Sequence, residues 1–154
     1  MTTSRPPQTF LAFDYGLRRT GVASGNRLIG RGTPLTTIAA DGDARFEPIG
    51  ALIREWQPDA LVVGVPRHPD GAPHDNTRRA LRFAGQLRGR FRLPVFEVDE
   101  RYSTTEALAA GARDVDAAAA ALLLDQHLRA LAQEASGVGP ANESEQDDDK
   151  KETR

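Results

Sequence analysis

The sequence predicts an α/β fold in which a mixed sheet of five strands is flanked by helices. Residues 9–38 contain three short strand patterns separated by turn residues, which indicates two antiparallel hairpins. Each of the two later apolar runs follows a segment of helical periodicity, as expected of parallel strands joined by helical crossovers. A length of 154 residues is that of one ordinary domain with a sizeable core.

The hairpin strands begin with the apolar run at residues 10–13, which ends at Asp14. Gly16 permits a tight reversal, Arg18 and Arg19 lie in the turn, and a second strand starts at Gly21. A turn at residues 26–32 then leads into a third antiparallel strand that ends near Ile38.

The rest of the domain is predicted from periodicity and breaker residues. The pattern indicates a helix over 44–56, a strand over 60–65 and then a Pro-rich loop over 66–75. A second helix follows over about 76–90, and a fifth strand over 93–98. After it we expect a short helix capped by Ser103 or Thr104, with Glu106 completing a capping box, and a last helix from near Asp116 to about Leu131.

The charged residues are unevenly distributed along the chain. The net charge is −2, but residues 141–154 contain six of the 22 acids and three of the 20 bases, leaving 16 acids and 17 bases. We therefore predict a nearly neutral folded domain over residues 1–136 and a disordered acidic tail over 137–154. Every basic residue before the tail is arginine, which offers bidentate donors to phosphate, although codon bias explains the same composition.

Several classes of protein are excluded or disfavoured by composition. The chain has no cysteine, which excludes disulfides, thiolate metal sites and a cysteine nucleophile. No apolar run approaches the length of a membrane span, and the first ten residues lack the apolar stretch of a signal peptide. A cytoplasmic location is the resulting expectation.

Acidic residues follow the ends of predicted elements. Asp14 ends the first strand, Asp99 and Glu100 end the fifth, and Asp116 begins the last helix. The carboxyl ends of parallel strands meet at one edge of a sheet, where α/β proteins place their sites. Carboxylates gathered there are the ligands that Mg²⁺ or Mn²⁺ prefers, and two such ions activate water and stabilise the leaving oxygen in phosphodiester hydrolysis.

Each acid also has a purely structural interpretation. Asp14 is a residue that commonly orders a β-turn, and Asp116 is a good N-cap for the alanine-rich helix, with Asp114 as a similar candidate. In a regular fifth strand Glu100 shares a face with Phe96 and Val98, whereas Asp99 lies on the other face. We therefore favour Glu100 over Asp99 as a metal ligand.

Basic and hydroxyl side chains near these acids are candidates for nucleic-acid binding. Arg18, Arg19 and Arg101 border the acids and are placed to clamp a phosphate, or else simply neutralise Asp14 and Glu100. Ser103 or Thr104 can donate to a phosphate at a helix N-terminus, or cap that helix. Arg78, Arg79 and Arg82 on the second helix either track a nucleic-acid backbone or form a solvated helix face, and we favour the solvated face. His68 and His74 in the loop either reach a substrate or have no functional role, and we favour the second interpretation.

Four stretches of the sequence resemble the signature blocks of the YqgF (RuvX) family. They are DYGLRRTGVA at residues 14–23, LVVGVP at 61–66 with the Gly-containing loop after it, VDERYST at 98–104 and VDAAAAALLL at 115–124. The resemblance covers roughly residues 9–131, and its DER-x-ST block is the most specific. Arg18 and Tyr102 depart from it, because this family more often has Lys and Leu there.

The resemblance implies a ribonuclease H-like fold, in the superfamily that includes the RuvC junction resolvases, and a metal-dependent nuclease. The family is linked to 5′-end maturation of 16S ribosomal RNA precursors and is also labelled a family of Holliday-junction resolvases. Carried over by position, the acidic set is Asp14, Glu100 and Asp116, with Asp99 in support.

Two other functions remain open from the sequence. An ATP-binding domain of the actin and sugar-kinase type also begins with a strand, an acid and a hairpin, but such proteins bind nucleotide between two duplicated domains. A non-catalytic RNA-binding factor in ribosome assembly is the other alternative. The sequence leaves open whether the chain is a monomer or a dimer, although cutting a junction symmetrically favours a dimer.

Overall fold

A computed structural model describes residues 5–100 and 108–137 of the chain. Its centre is a five-stranded sheet of order β3-β2-β1-β4-β5. The strands are β1 (Thr9–Tyr15), β2 (Thr20–Asn26), β3 (Arg31–Ile38), β4 (Ala60–Val65) and β5 (Val95–Asp99).

Strand directions follow the prediction. β2 is antiparallel to both β1 and β3, whereas β4 is parallel to β1 and β5 is parallel to β4. The carboxyl ends of β1, β4 and β5 therefore lie at the same edge of the sheet. The mixed sheet predicted from the sequence, with three antiparallel strands followed by parallel strands, is confirmed.

In the described part of the chain, three long α-helices cover the sheet: α1 (Phe46–Trp56), α2 (Asp75–Phe91) and α3 (Val115–Ala135). Helices α1 and α2 pack on one face, where Ile49 and Phe83 join Leu11, Phe13 and other apolar side chains of the strands in the larger core cluster. We call this the α1/α2 face. Its formation follows from the apolar stripes of the two helices, which the sequence predicted.

Helix α3 packs on the opposite face, which we call the α3 face. There Phe10 and Ala12 of β1 contact Leu124 and Leu128 of the helix. Small residues let the helix approach closely, because a Cβ atom on Gly32 of β3 would lie only 2.7 Å from the carbonyl oxygen of Ala121. This close packing sets the height of α3 above the sheet.

Some element boundaries differ from the prediction. A 3₁₀ turn at Gly42–Arg45 precedes α1, and α3 continues four residues beyond the predicted Leu131. Pro and Gly do not occur between residues 131 and 136, so nothing in the local sequence ends the helix earlier. The short helix predicted at Ser103 or Thr104, with Glu106, lies outside the described residues, as does the tail beyond Gly137.

Within residues 5–100 and 108–137, no helix is both long enough and apolar enough to span a membrane. The predicted boundary between the domain at residues 1–136 and the tail at 137–154 remains a prediction. It is compatible with the observed end of α3 at Ala135.

Candidate active site

Asp14 occupies the carboxyl end of the central strand, on the α3 face of the sheet. Phe10 and Ala12, which precede Asp14 in β1 by four and two residues, pack against α3. Because side chains alternate along a strand, Asp14 points to the same side. Its two neighbours on that face are both glycines: Gly21 is its direct partner on β2, and the β1–β4 register, continued one residue past the Phe13–Val63 pair, places Gly64 beside it.

The missing side chain of Gly21 makes room for the first turn of α3. A Cβ atom at Gly21 would lie 1.9 Å from the carbonyl oxygen of Asp116 and 2.9 Å from the backbone nitrogen of Ala117. No side chain fits in such a space, so the backbone of Asp116 rests directly on β2. The strand pair thereby brings the start of α3 next to Asp14.

The missing side chain of Gly64 makes room for Glu100. A Cβ atom at Gly64 would lie 2.6 Å from Oε2 of Glu100 and 2.7 Å from Cδ1 of Leu123. The backbone N–H of Glu100 donates to the carbonyl oxygen of Val65 at 3.0 Å, which extends the β4–β5 ladder by one residue. The Glu100 carboxylate is thus held on the α3 face, at the same sheet edge as Asp14.

Asp99 and Glu100 lie in different surroundings. Phe96 contacts His127 of α3, and Val98 packs against the core cluster on the α3 face. Because every second residue of a strand points to the same face, Glu100 also lies on the α3 face. Glu97 points to the α1/α2 face, where its carboxylate pairs with Arg88 of α2 at 3.0 Å. Asp99, two residues later in the strand, lies on the same side as Glu97 and is exposed. The strand therefore separates the two carboxylates as the alternation predicted.

The N-cap of α3 is Asp114 rather than Asp116. The Asp114 carboxylate accepts a hydrogen bond from the backbone N–H of Ala117 at 3.1 Å and another from the hydroxyl of Thr37 on β3. Asp116 lies in the first turn, and its carboxylate pairs with Nε of Arg19 at 2.8 Å. The capping interpretation of Asp116 is therefore wrong, and its carboxylate faces the β1–β2 turn.

The β1–β2 turn is braced from inside by Arg45, which is only 2% exposed. Its guanidinium donates to the carbonyl oxygens of Gly16 and Leu17, both at 2.7 Å, and to the hydroxyl of Thr20 at 2.9 Å. The same group lies over the ring of Tyr15, 4.5 Å from its centroid. Arg45 thus fixes the turn that follows Asp14 and carries Arg19.

The predicted phosphate-binding residues are only partly placed. Arg18 and Arg19 are exposed in the β1–β2 turn, and Arg19 neutralises Asp116 rather than being available as a bare cation. Arg101, Ser103 and Thr104 lie outside the described residues.

The three histidines have separate roles. His74 caps α2, since its ring accepts from the backbone N–H of Asn76 at 3.2 Å, a role that the interpretation of His74 as silent missed. His68 contacts the His74 ring at 4.7 Å between centroids. His127 lies between the rings of Phe10 and Phe96, and burial lowers its pKa from the ordinary value of 6.5.

The carboxylates offer oxygen ligands, which suit Mg²⁺ or Mn²⁺. In the described part of the chain, however, no three His, Asp or Glu side chains are gathered closely enough to hold an ion. Asp116 is turned to Arg19 and Glu100 lies against Gly64. The donor chemistry therefore fits a hard divalent cation, and these side chains must converge to hold one.

Sequence reasoning did not single out Gly21, Gly64 or Arg45 as parts of this site. Gly21 and Gly64 stand inside strand patterns, where a glycine indicates a close approach by another group, and that signal was available. For Arg45 the only signal is an arginine immediately before the apolar stripe of α1, which is also typical of an exposed helix start.

Comparison with known proteins identifies the family. The RuvX family model, described as Holliday junction resolvase, matches residues 8–130. The chain belongs to the RuvX family.

RuvX relatives align over most of their length. A protein of Polaromonas sp. (strain JS666 / ATCC BAA-500) is 69% identical over 124 residues, which cover 80% of this chain and 90% of the relative. One of Albidiferax ferrireducens is 68% identical over 124 residues, covering 80% of each chain. Both carry the name "Putative pre-16S rRNA nuclease". Among solved structures, T. thermophilus RuvC in complex with a Holliday junction substrate is 14% identical, with a TM-score of 0.47, over 79% of this chain and 93% of that one.

Proposed function

We propose that this RuvX-family chain is a metal-dependent endonuclease that cleaves a phosphodiester bond of a 16S ribosomal RNA precursor. Family membership and the names of its relatives support a nuclease. The observation that carries the assignment to a site is the placement of Asp14, Glu100 and Asp116 at one sheet edge, with Gly21 and Gly64 making the room.

In this proposal Asp14, Glu100 and Asp116 hold Mg²⁺ or Mn²⁺, with Asp99 outside the set because its strand position faces away. The ion, or a pair of ions, when bound, lowers the pKa of a water molecule and neutralises charge on the reacting phosphate.

The protein's own residues position the reacting groups. Asp14 is fixed at the end of a buried strand, so its carboxylate has little freedom to move away. Arg19 pairs with Asp116 until a cation takes its place, and its guanidinium is then next to the site to contact a phosphate. Arg18, Arg101, Ser103 and Thr104 are proposed to contact the strand on either side.

Cleavage of a four-way DNA junction is the second candidate, because the family model carries the description Holliday junction resolvase. A junction needs many phosphate contacts and two symmetric cuts, whereas the first 140 residues are nearly neutral in charge. This balance favours a flexible RNA strand bound at one site.

The deciding experiment compares initial cleavage rates of a labelled RNA carrying the 5′ leader of 16S rRNA and of a labelled four-way junction. Both are measured at equal, near-physiological salt, with Mg²⁺ and then with Mn²⁺, and light scattering gives the oligomeric state. The proposal expects faster RNA cleavage. Symmetric junction cleavage that is faster than RNA cleavage, by a dimer, would establish the second candidate instead.

A further inference from the structure

A groove of about 800 Å³ lies between the β2–β3 turn and the C-terminal half of α3. Three arginines line it: Arg27, Arg31 and Arg129. Within residues 5–100 and 108–137, the ion pairs involve other arginines, and these three guanidiniums have none. We call this surface the arginine groove.

The arginine groove contains little negative charge, and its carboxylate already accepts a hydrogen bond. Asp125 is its acidic lining residue, and one of its carboxylate oxygens accepts from the backbone N–H of Gly32 at 2.7 Å. Glu134 lines the adjacent pocket that contains His127. The groove thus presents three positive charges against one hydrogen-bonded carboxylate, a balance that attracts anions.

The arginine groove and the candidate active site lie at opposite ends of α3. Asn26, beside Arg27, pairs with Thr9 at the start of β1, whereas Asp14 lies near its end. Thirteen residues of α3 separate Asp116 from Arg129, a distance of about 20 Å along the helix. At roughly 3.4 Å per nucleotide of a stacked strand, this corresponds to about six nucleotides.

We propose that the arginine groove binds the phosphate backbone of the single-stranded RNA flank, about six nucleotides from the bond that is cut. This inference rests on the proposed function and adds a second contact to its substrate. Guanidiniums bind phosphate in a bidentate manner, and the exposed Ala132 and Ala135 leave the floor of the same groove open to a backbone. The position of the groove then determines the length of single-stranded flank that the enzyme needs for full affinity.

The test uses two charge-matched double variants of the full chain. Arg31→Gln/Arg129→Gln removes two groove charges, and Arg54→Gln/Arg78→Gln removes two exposed charges from α1 and α2, which cover the other face. Affinity for 5-nucleotide and 15-nucleotide single-stranded RNA is measured by fluorescence anisotropy in EDTA, which prevents cleavage. Circular dichroism checks that both variants are folded.

For the 15-nucleotide RNA, the groove variant is expected to bind roughly fivefold to tenfold more weakly than wild type, and its slope of log K against log salt should fall by about 1.4. The 5-nucleotide RNA can occupy the groove but cannot reach the candidate active site as well, so wild type should bind it more weakly than the 15-nucleotide RNA, and the groove variant should still bind it more weakly than the control variant does. Equal losses in both variants, or wild-type binding that does not increase with RNA length, would overturn the inference. A wild-type chain that shows the length effect but cleaves neither RNA nor junction would overturn the proposed function alone.

Discussion

Asp14 of β1 lies directly opposite Gly21 of β2 in the antiparallel pair. The pairing matters because the backbone of Asp116 fills the space where a side chain of Gly21 would be. The missing side chain of Gly21 thus allows the start of α3 to pack against β1 and β2 at the sheet edge where the acids lie.

Gly21→Ala is expected to destabilise the protein by more than about 2 kcal/mol, because the new methyl overlaps backbone that cannot rotate away. Urea unfolding at neutral pH measures the change. Gly85→Ala is the matched control, since nothing lies within 4 Å of a Cβ at that helical position. The control should be stabilised by up to about 1 kcal/mol. Equal stabilities of the two variants would mean that α3 does not rest on Gly21.

Gly64→Ala should act on activity more than on stability. Its methyl would meet the buried side chain of Leu123 and the carboxylate end of Glu100, and the Glu100 end is the one that can move, so the carboxylate is displaced. We expect cleavage to fall roughly tenfold or more, while the midpoint of thermal unfolding drops by only a few degrees. Gly89→Ala, at an open position of α2, is the control. Full activity of Gly64→Ala would remove Glu100 from the proposed site.

The sequence could predict the sheet and the acids, because both depend on local patterns. Apolar runs and turn residues define strands, and the alternation of side chains in β5 separates Asp99 from Glu100. It could not show that Gly21 and Gly64 flank Asp14, because those contacts join residues that are distant along the chain. The same holds for the choice of Asp114 as the cap of α3, which depends on Thr37 of β3 as a second partner.

Arg45→Met should loosen the β1–β2 turn. The variant leaves the carbonyl oxygens of Gly16 and Leu17 and the hydroxyl of Thr20 without their buried donor, at a cost of about 3 kcal/mol. Thermal unfolding measures it, with Arg54→Met on exposed α1 as the control, expected within about 0.5 kcal/mol of wild type. If both variants unfold at the same temperature, Arg45 does not brace the turn.

His127 should make stability depend on pH. Burial lowers its pKa, and Arg27 lowers it further, while Glu134 acts in the opposite direction. The unfolded chain therefore binds a proton more readily, so stability falls as the pH drops below about 6.5. His127→Leu should lose less stability than wild type between pH 7.5 and pH 5.5, whereas His68→Ala, at an exposed position, should keep the wild-type dependence. Identical pH dependence in all three proteins would contradict the burial argument.

Glu100→Gln and Asp99→Asn test which acid of the fifth strand serves the site. Glu100→Gln should reduce cleavage as strongly as loss of Asp14, and Asp99→Asn should be milder, because the strand points the two carboxylates to opposite sides. Single-turnover cleavage of the labelled RNA gives the comparison. A reversed order would show that Asp99, not Glu100, holds the metal.

The most direct test of the proposed site is single-turnover cleavage of the labelled RNA by wild type and by Asp14→Asn, with Mg²⁺ or Mn²⁺ and with EDTA. The substitution removes a charge with almost no change in volume, so circular dichroism and unfolding should match wild type. We predict cleavage that requires the metal and falls by more than about 100-fold in the variant. A folded Asp14→Asn protein that cleaves at near wild-type rates would contradict the proposed site.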